Sequence, residues 1–148
     1  MMISVVTPSF NMLDYLRLCA ASVRDQSGPE FEHIVMDGGS TDGTAEWLHE
    51  QPQIQSVSGQ DGGMYDAVNK GLLRARGDVA AYLNCDEQYL PGTLSFVEGF
   101  FRNHPETDVL FGSVLVVRPD GLLISYRKAY PPRAVYCLTD HLPVFSCA

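Results

Sequence analysis

Apolar positions along this chain switch period at regular intervals. Ile3-Ser4-Val5-Val6-Thr7-Pro8 is short and β-branched, which predicts a central strand ended by a proline that cannot donate to a ladder. Leu13, Leu16, Ala20 and Val23 then recur at helical spacing, predicting an amphipathic helix over residues 13–25 that Gly28-Pro29 breaks. Residues 31–36 read as a second strand ending on Asp37, residues 45–51 as a helix, and residues 54–57 as a short third strand. The stretch 60–87 organises what surrounds it. It opens with an Asp61-Gly62-Gly63 turn, runs through a short amphipathic helix and Ala75-Arg76-Gly77-Asp78, and climbs a buried strand over 79–83. It stops on Asn84-Cys85-Asp86-Glu87. A helix starting at Pro91-Gly92-Thr93 follows, with Leu94, Val97, Phe100 and Phe101 as its core face and Asn103-His104-Pro105 closing it. Residues 109–117 predict a long strand, Pro119-Asp120-Gly121 a turn, and residues 122–126 the hairpin partner.

Strand–helix alternation at this spacing implies parallel strands joined by right-handed crossovers. The predicted fold is α/β and Rossmann-like, a mostly parallel sheet flanked by helices with a C-terminal β-hairpin. From Lys128 onward the periodicity fails, with Pro131-Pro132 and Pro143 interrupting it.

Charge narrows the chemistry. Eighteen acidic residues stand against 10 basic ones, a formal charge of −8 over 148 residues, and no Lys/Arg cluster is present. Nucleic acid is therefore not an expected partner. An acidic protein that holds an anionic ligand must use a cation or backbone amides. Cys19, Cys85, Cys137 and Cys147 show no metal or redox spacing and read as scattered reduced thiols. His33, His49, His104 and His141 share no ligand spacing, so structural or exposed roles are expected, and Tyr65 and Tyr82 read as packing residues. With neither a signal peptide nor an apolar run long enough to span a bilayer, the expected location is cytoplasmic, at most peripheral to a membrane.

The candidate chemistry lies at predicted strand ends: Asp37, Asp61 and the pair Asp86/Glu87. In a doubly wound sheet those ends converge on one edge, where ligands bind. Two carboxylates about 4 Å apart repel by about 4 kcal/mol at an effective dielectric near 20, and a divalent cation reverses the sign. The arrangement therefore reads as a metal-and-diphosphate site. For the run from Asp37 to Asp42 a tight turn with a helix cap is an equal reading. Asp66, Asn69 and Lys70 share one helix face, so Asp66 and Lys70 form either a surface ion pair or, with Arg74 and Arg76, a cationic surround for a diphosphate. Gly-x-Ser-x-Gly, Walker and Rossmann glycine motifs are absent.

Four segments together resemble the amino-terminal half of a family-two glycosyltransferase with the A-type, nucleotide-diphospho-sugar-binding fold. They are residues 3–11 (ISVVTPSFN), 37–44 (DGGSTDGT), 61–71 (DGGMYDAVNKG) and 77–87 (GDVAAYLNCDE), and with the helix after Pro91 they cover most of residues 2–117. The resemblance implies that Thr7, Pro8, Ser9 and Asn11 after the first strand, with Asp37 and Gly38, hold the nucleoside. It places Asp61 at the base or ribose, and Met64, Asp66, Asn69 and Lys70 in the donor-binding helix. Asn84, Cys85 and Asp86 stand where the family has Asp-x-Asp, which binds ribose and the metal bridging the diphosphate. Asp86 and Glu87 are then the expected ligands of Mn²⁺ or Mg²⁺. Asn84, in the first position, brings no charge but can hydrogen-bond a ribose hydroxyl.

The function implied is transfer of a sugar, with inversion, from a nucleotide-sugar donor, a UDP-sugar above others, to a hydroxyl acceptor on a glycan or lipid-linked glycan, as in cell-surface polysaccharide synthesis. Residues 1–127 would be the donor-binding domain and 128–148 the start of an acceptor-side segment. The family's catalytic base belongs to a later segment, and Asp140 and His141 match no such motif. Val135, Leu142, Val144 and Phe145 would leave apolar surface open and invite self-association. Two rival readings stand: a non-catalytic nucleotide-sugar-binding module, and a nucleotidyltransferase, which lacks support in Ser9-Phe10-Asn11 because that loop is neither glycine-rich nor basic.

Overall fold

The computed structural model describes residues 1–129, which fall into two compact units, Met1–Asn103 and the stretch from His104 onward. The strands of the first unit are β1 (Met2–Ser9), β2 (Glu30–Asp37), β3 (Ile54–Ser58) and β4 (Val79–Tyr82). They form one parallel sheet in the order β3-β2-β1-β4. The helices are α1 (Leu13–Arg24), α2 (Thr44–His49), α3 (Met64–Leu72) and α4 (Thr93–Asn103). None among the described residues is long and apolar enough to cross a membrane.

Side chains alternate across the sheet, and both faces of its centre are covered. Ile3, Val5, Cys19, Val23, Leu83 and Leu94 form one cluster, which joins β1 to α1 and α4. Leu16, Ala20, Val35, Leu48, Ile54 and Cys85 continue that layer across to α2. Val6, Ile34, Met36 and Ala67 pack on the opposite face under α3. Each fully buried aliphatic side chain contributes about 1.5–3 kcal/mol. Helix α3 rests on the sheet through small residues. A Cβ at Gly71 would lie 2.4 Å from Val6 Cγ1 and 3.2 Å from Met36 Cγ, so only glycine permits this approach.

Two strand expectations change. Pro8 does not end β1, which runs through it to Ser9 opposite Asp37. Val6 C=O accepts from Leu83 N–H, and Ser9 C=O accepts from Gly38 N–H. Alternation turns the Pro8 backbone toward the β4 side, beyond the end of β4's pairing, where no N–H is called for. Strand β4 is not buried on both faces: among the described residues it pairs with β1 alone, and its positions alternate between half-buried and exposed. Tyr82 is accordingly 42% exposed and Tyr65, on α3, 80%, so neither is a packing residue.

The second unit contains an antiparallel hairpin of β5 (Val114–Val117) and β6 (Leu123–Arg127), with a register shift between Val116 and Val117. The expected long strand starts only at Val114, because a strand extends as far as its partner. Before it, Ser113 Oγ instead accepts from Ala129 N–H at 3.1 Å and bonds the Tyr126 hydroxyl at 3.2 Å. Residues 130–148, with Val135, Asp140, His141, Leu142, Val144 and Phe145, lie outside the described residues.

Candidate functional site

The chain leaves β1 toward β2 and β3, then returns to place β4 on β1's other side. The strand order therefore reverses beside β1, which is where open α/β sheets form a ligand crevice at the strands' carboxyl ends. Three loops meet this edge: residues 10–12 after β1, 38–43 after β2 and 83–92 after β4, with 59–63 entering α3.

The first two loops are laced together. Asn11 adopts the left-handed conformation (φ 51°), and its N–H donates to Ser40 Oγ at 2.8 Å. Asn11 Oδ1 accepts from Thr41 N–H at 2.8 Å. Asp37 is buried, 2% exposed, and its carboxylate accepts from the Ser40 hydroxyl and, at 3.3 Å, from Ser40 N–H. Its backbone C=O accepts from Gly59 N–H at 3.0 Å. Asp42 caps two helices at once: Oδ2 accepts from Leu13 N–H at 2.9 Å, and Oδ1 from the Thr44 hydroxyl at 2.6 Å and Thr44 N–H at 3.2 Å. The Thr44 hydroxyl foremost, then the Leu13 amide, lowers the Asp42 pKa. The turn-and-cap reading thus holds for Asp42, while Asp37 stands apart as a buried carboxylate at a strand end.

Asp61 reaches the glycine that follows Asp37. A Cβ at Gly38 would lie 3.2 Å from Asp61 Oδ2 and 3.4 Å from Phe10 Cδ2, so the glycine lets these groups converge. Asp61 Oδ1 accepts from Gly63 N–H at 2.8 Å, which shapes the entry to α3. On α3, Asp66 Oδ2 accepts from Gly62 N–H at 2.8 Å and pairs with Lys70 Nζ at 2.6 Å, and Lys70 foremost lowers its pKa. Asn69 is exposed beside them, and Met64, at the helix start, lies with its sulfur 3.5 Å from the Tyr82 hydroxyl. Arg76 is elsewhere: it pairs with Glu32 at 2.8 Å, level with Ser4, at the amino end of the strands, and so does not face this edge.

Thr7 turns inward. Its Oγ1 is 3.0 Å from His33 Nε2 and 3.9 Å from Cys19 Sγ, so only its backbone remains for a ligand. Burial lowers the His33 pKa to about 4, leaving a neutral core imidazole. Ser9 differs: its hydroxyl is buried at the end of β1 beside the Cys85 thiol, a weak partner, and forms no standard hydrogen bond among the described residues. Beyond β4, Asn84 is buried, Asp86 is exposed and Glu87 is half-buried with Oε2 3.3 Å from Asn84 N–H. Cys85 packs in the core with its sulfur 3.7 Å from Met12 Sδ, and burial raises its pKa. Cys19 and Cys85 are both free and buried, and desolvation pushes Cys19 up to about 12, so neither is a reactive thiol. Cys137 and Cys147 lie outside the described residues.

The donor set fits one kind of metal site only. Among the described residues no three His, Cys, Asp or Glu side chains converge to hold an ion. Asp86 and the uncommitted oxygen of Glu87 could supply two carboxylate ligands. Mg²⁺ and Mn²⁺ suit such a set when phosphate oxygens and water complete the shell.

Two contributors escape a linear reading. Ser40 clamps both Asp37 and Asn11, a role its place three residues after Asp37 hints at. Tyr82 donates its hydroxyl to Asn84 Oδ1, and their i, i+2 spacing across the end of β4 was the available signal.

Comparison with known proteins agrees with this geometry. A PGL/p-HBAD biosynthesis glycosyltransferase of Mycobacterium bovis is 33% identical over 123 residues, 78% of this chain and 47% of that protein. TuaG of Bacillus subtilis, a glycosyltransferase named for teichuronic acid biosynthesis, is 38% identical over 93 residues, 60% of this chain and 37% of its own. The crystal structure of S. aureus TarS 1-349 in complex with UDP-GlcNAc superposes with a TM-score of 0.64 at 26% identity, covering 71% of this chain and 32% of that one. This chain spans less than half the length of each of them. The model of the family described as glycosyl transferase family 2 matches residues 4–142, and the chain belongs to that family.

Proposed function

We propose that this chain binds the nucleotide diphosphate of a sugar donor, a UDP-sugar first, at the carboxyl edge of its parallel sheet. In the whole protein this binding serves transfer of the sugar to a hydroxyl of a cell-surface glycan or lipid-linked glycan. The observation that carries the reading is Asp37, a buried carboxylate at the end of β2, in register with Ser9 and followed by a glycine against which the Asp61 carboxylate lies. A buried carboxylate is costly unless it meets donors. Asp37 receives them from Ser40, and its location suits a further donor from a base N–H or a ribose hydroxyl. Phe10, an exposed aromatic ring beside Gly38, offers a flat surface for a base.

On the far side of β1, Asp86 and Glu87 would hold a divalent cation jointly with the diphosphate. When bound, the ion supplies Lewis-acid stabilisation of the leaving diphosphate. The protein's part is to position: Asp37 and Asp61 fix the nucleoside, the α3 entry turn shapes the floor, and the acidic end of β4 sets where the diphosphate lies. Inversion at the anomeric carbon, through an acceptor hydroxyl attacking opposite the leaving group, is the reaction expected of the complete enzyme.

Isothermal calorimetry with UDP, in Mn²⁺ and again in EDTA, tests this. Binding should tighten with metal, and Asp86→Ala should abolish most of the metal effect while leaving the metal-free affinity nearly unchanged. Asp37→Asn should weaken binding equally in both conditions. A wild-type chain that ignores UDP in both conditions refutes the proposal, and equal affinity in both removes the metal from it.

A further inference from the structure

Every polar group of Asn84 but one is already committed. Its backbone C=O accepts from Glu87 N–H at 3.0 Å and from the Cys19 thiol at 3.5 Å. Its N–H donates to Glu87 Oε2 at 3.3 Å. Its side-chain Oδ1 accepts from the Tyr82 hydroxyl. That hydroxyl also lies 3.5 Å from Met64 Sδ, but it has a single proton, and an amide carbonyl is a far better acceptor than a thioether. The amide is thereby held one way round. What remains is the Nδ2 group, with two N–H donors and no acceptor among the described residues, on a residue only 8% exposed at the crevice edge.

Resting on the donor-site reading above, we infer that Tyr82 is a positioning residue that turns the Asn84 amide so that its N–H donors meet a diphosphate oxygen of the nucleotide. The chemistry is specific to this pair. An aspartate at position 84 would only accept and would repel the phosphates without a metal between them. An asparagine whose carbonyl faced the crevice would also only accept. With the carbonyl bonded to Tyr82, residue 84 offers donors alone, which suits an anion in a chain of formal charge −8. Part of the diphosphate binding then needs no metal. Tyr82, the last residue of β4, and Asn84, two residues on, act as one unit.

Titrations of UDP and of uridine in EDTA read this out. Tyr82→Phe removes only a hydroxyl from a side chain that is 42% exposed, so the fold is retained. It should weaken UDP binding by about three- to tenfold, the worth of one hydrogen bond, and leave uridine unchanged. Asn84→Ala should cost about as much, and the double variant no more than Asn84→Ala alone, because Tyr82 acts through Asn84. Asn84→Asp keeps the tyrosine contact but should bind UDP more weakly than Asn84→Ala in EDTA and recover in Mn²⁺. The inference is overturned if Tyr82→Phe binds UDP as the wild type does, if uridine falls as far as UDP, or if the two losses multiply. In each of these cases wild-type UDP binding still stands, and the donor-site reading with it. A wild-type chain that binds no UDP takes both down.

Discussion

Glu32 is the residue on which the sheet's amino end depends, and replacing it tests the packing argument away from the candidate site. Its carboxylate, 5% exposed, accepts from the Ser4 hydroxyl at 2.7 Å and from Arg76 N–H at 2.7 Å through Oε1. Oε2 takes Gln55 Nε2 at 2.5 Å and the Arg76 guanidinium at 2.8 and 3.1 Å. Strands β1, β2 and β3 and the turn before β4 are thus joined at one point. Burial alone would raise this carboxyl's pKa. The donors from Ser4 and Arg76 outweigh it and carry the pKa from 4.5 to about 2.

Glu32→Gln keeps the shape but turns one acceptor oxygen into a donor that faces donors whichever way the amide lies. A shift of that size corresponds to at most about 3 kcal/mol. The Arg76 side chain is 68% exposed, so solvent screens its share, and about 2 kcal/mol is expected at pH 7. The sign follows from the lowered pKa. Stabilisation is complete above 4.5, where the unfolded carboxyl is also ionised, and is lost as pH falls from there toward 2. Urea denaturation of wild type and Glu32→Gln between pH 7 and pH 3 should show the gap narrowing to about half at pH 3. Other carboxylates titrate in both proteins and cancel. A gap below about 0.5 kcal/mol at pH 7, or one that holds constant to pH 3, would refute the network's role.

Two further outcomes follow from the core. His33 is buried against Thr7 with a pKa lowered to about 4, so the unfolded chain takes up a proton first. Stability should fall as pH drops from 6.5 toward 4, and the His33 imidazole should titrate below pH 5 by NMR; a midpoint near 6.5 would contradict its burial. Gly71→Ala should lower stability by about 1–3 kcal/mol, because its Cβ would meet Val6 Cγ1 at 2.4 Å and must lift α3 from the sheet. An unchanged midpoint in thermal melting would mean that α3 does not lie this close.

Periodicity carried the fold because both faces of β1 and β2 are buried and the helices are amphipathic. The strand and helix centres are therefore fixed by apolar residues such as Val5, Leu16, Ile34 and Leu94. Errors fell where pairing, not composition, decides. Pro8 extends β1 because its missing N–H points past the end of β4, and Val109 begins no strand because the ladder with β6 starts only at Val114. At the site, Asp37, Asp61 and the Asn84–Glu87 turn were legible as carboxylates at strand ends. What could not be read was which polar groups spend themselves on the protein. Asp42 caps α1 across 29 residues of sequence, Thr7 bonds His33, and Arg76 is drawn to Glu32, and each partner comes from a distant segment.

That distribution separates the two ends of the sheet. At the amino end polar capacity is consumed: Glu32 accepts five hydrogen bonds, and Ser4 both donates to it and accepts from Gly77 N–H. At the carboxyl end it is left over in the Ser9 hydroxyl, the Asn84 amide N–H groups and the exposed Asp86. Of these only the Ser9 hydroxyl is fully buried without a standard hydrogen bond among the described residues, and such a group costs about 1–3 kcal/mol, so a fold selected for stability alone would satisfy or remove it. Ser9 and Asn84 stand on β1 and just after β4, the two strands between which the order reverses. Their spare capacity is directed where the topology opens a crevice. A ligand that accepts from Asn84, bonds Ser9 and shares a cation with Asp86 must carry several oxygens within a short span, and a diphosphate does.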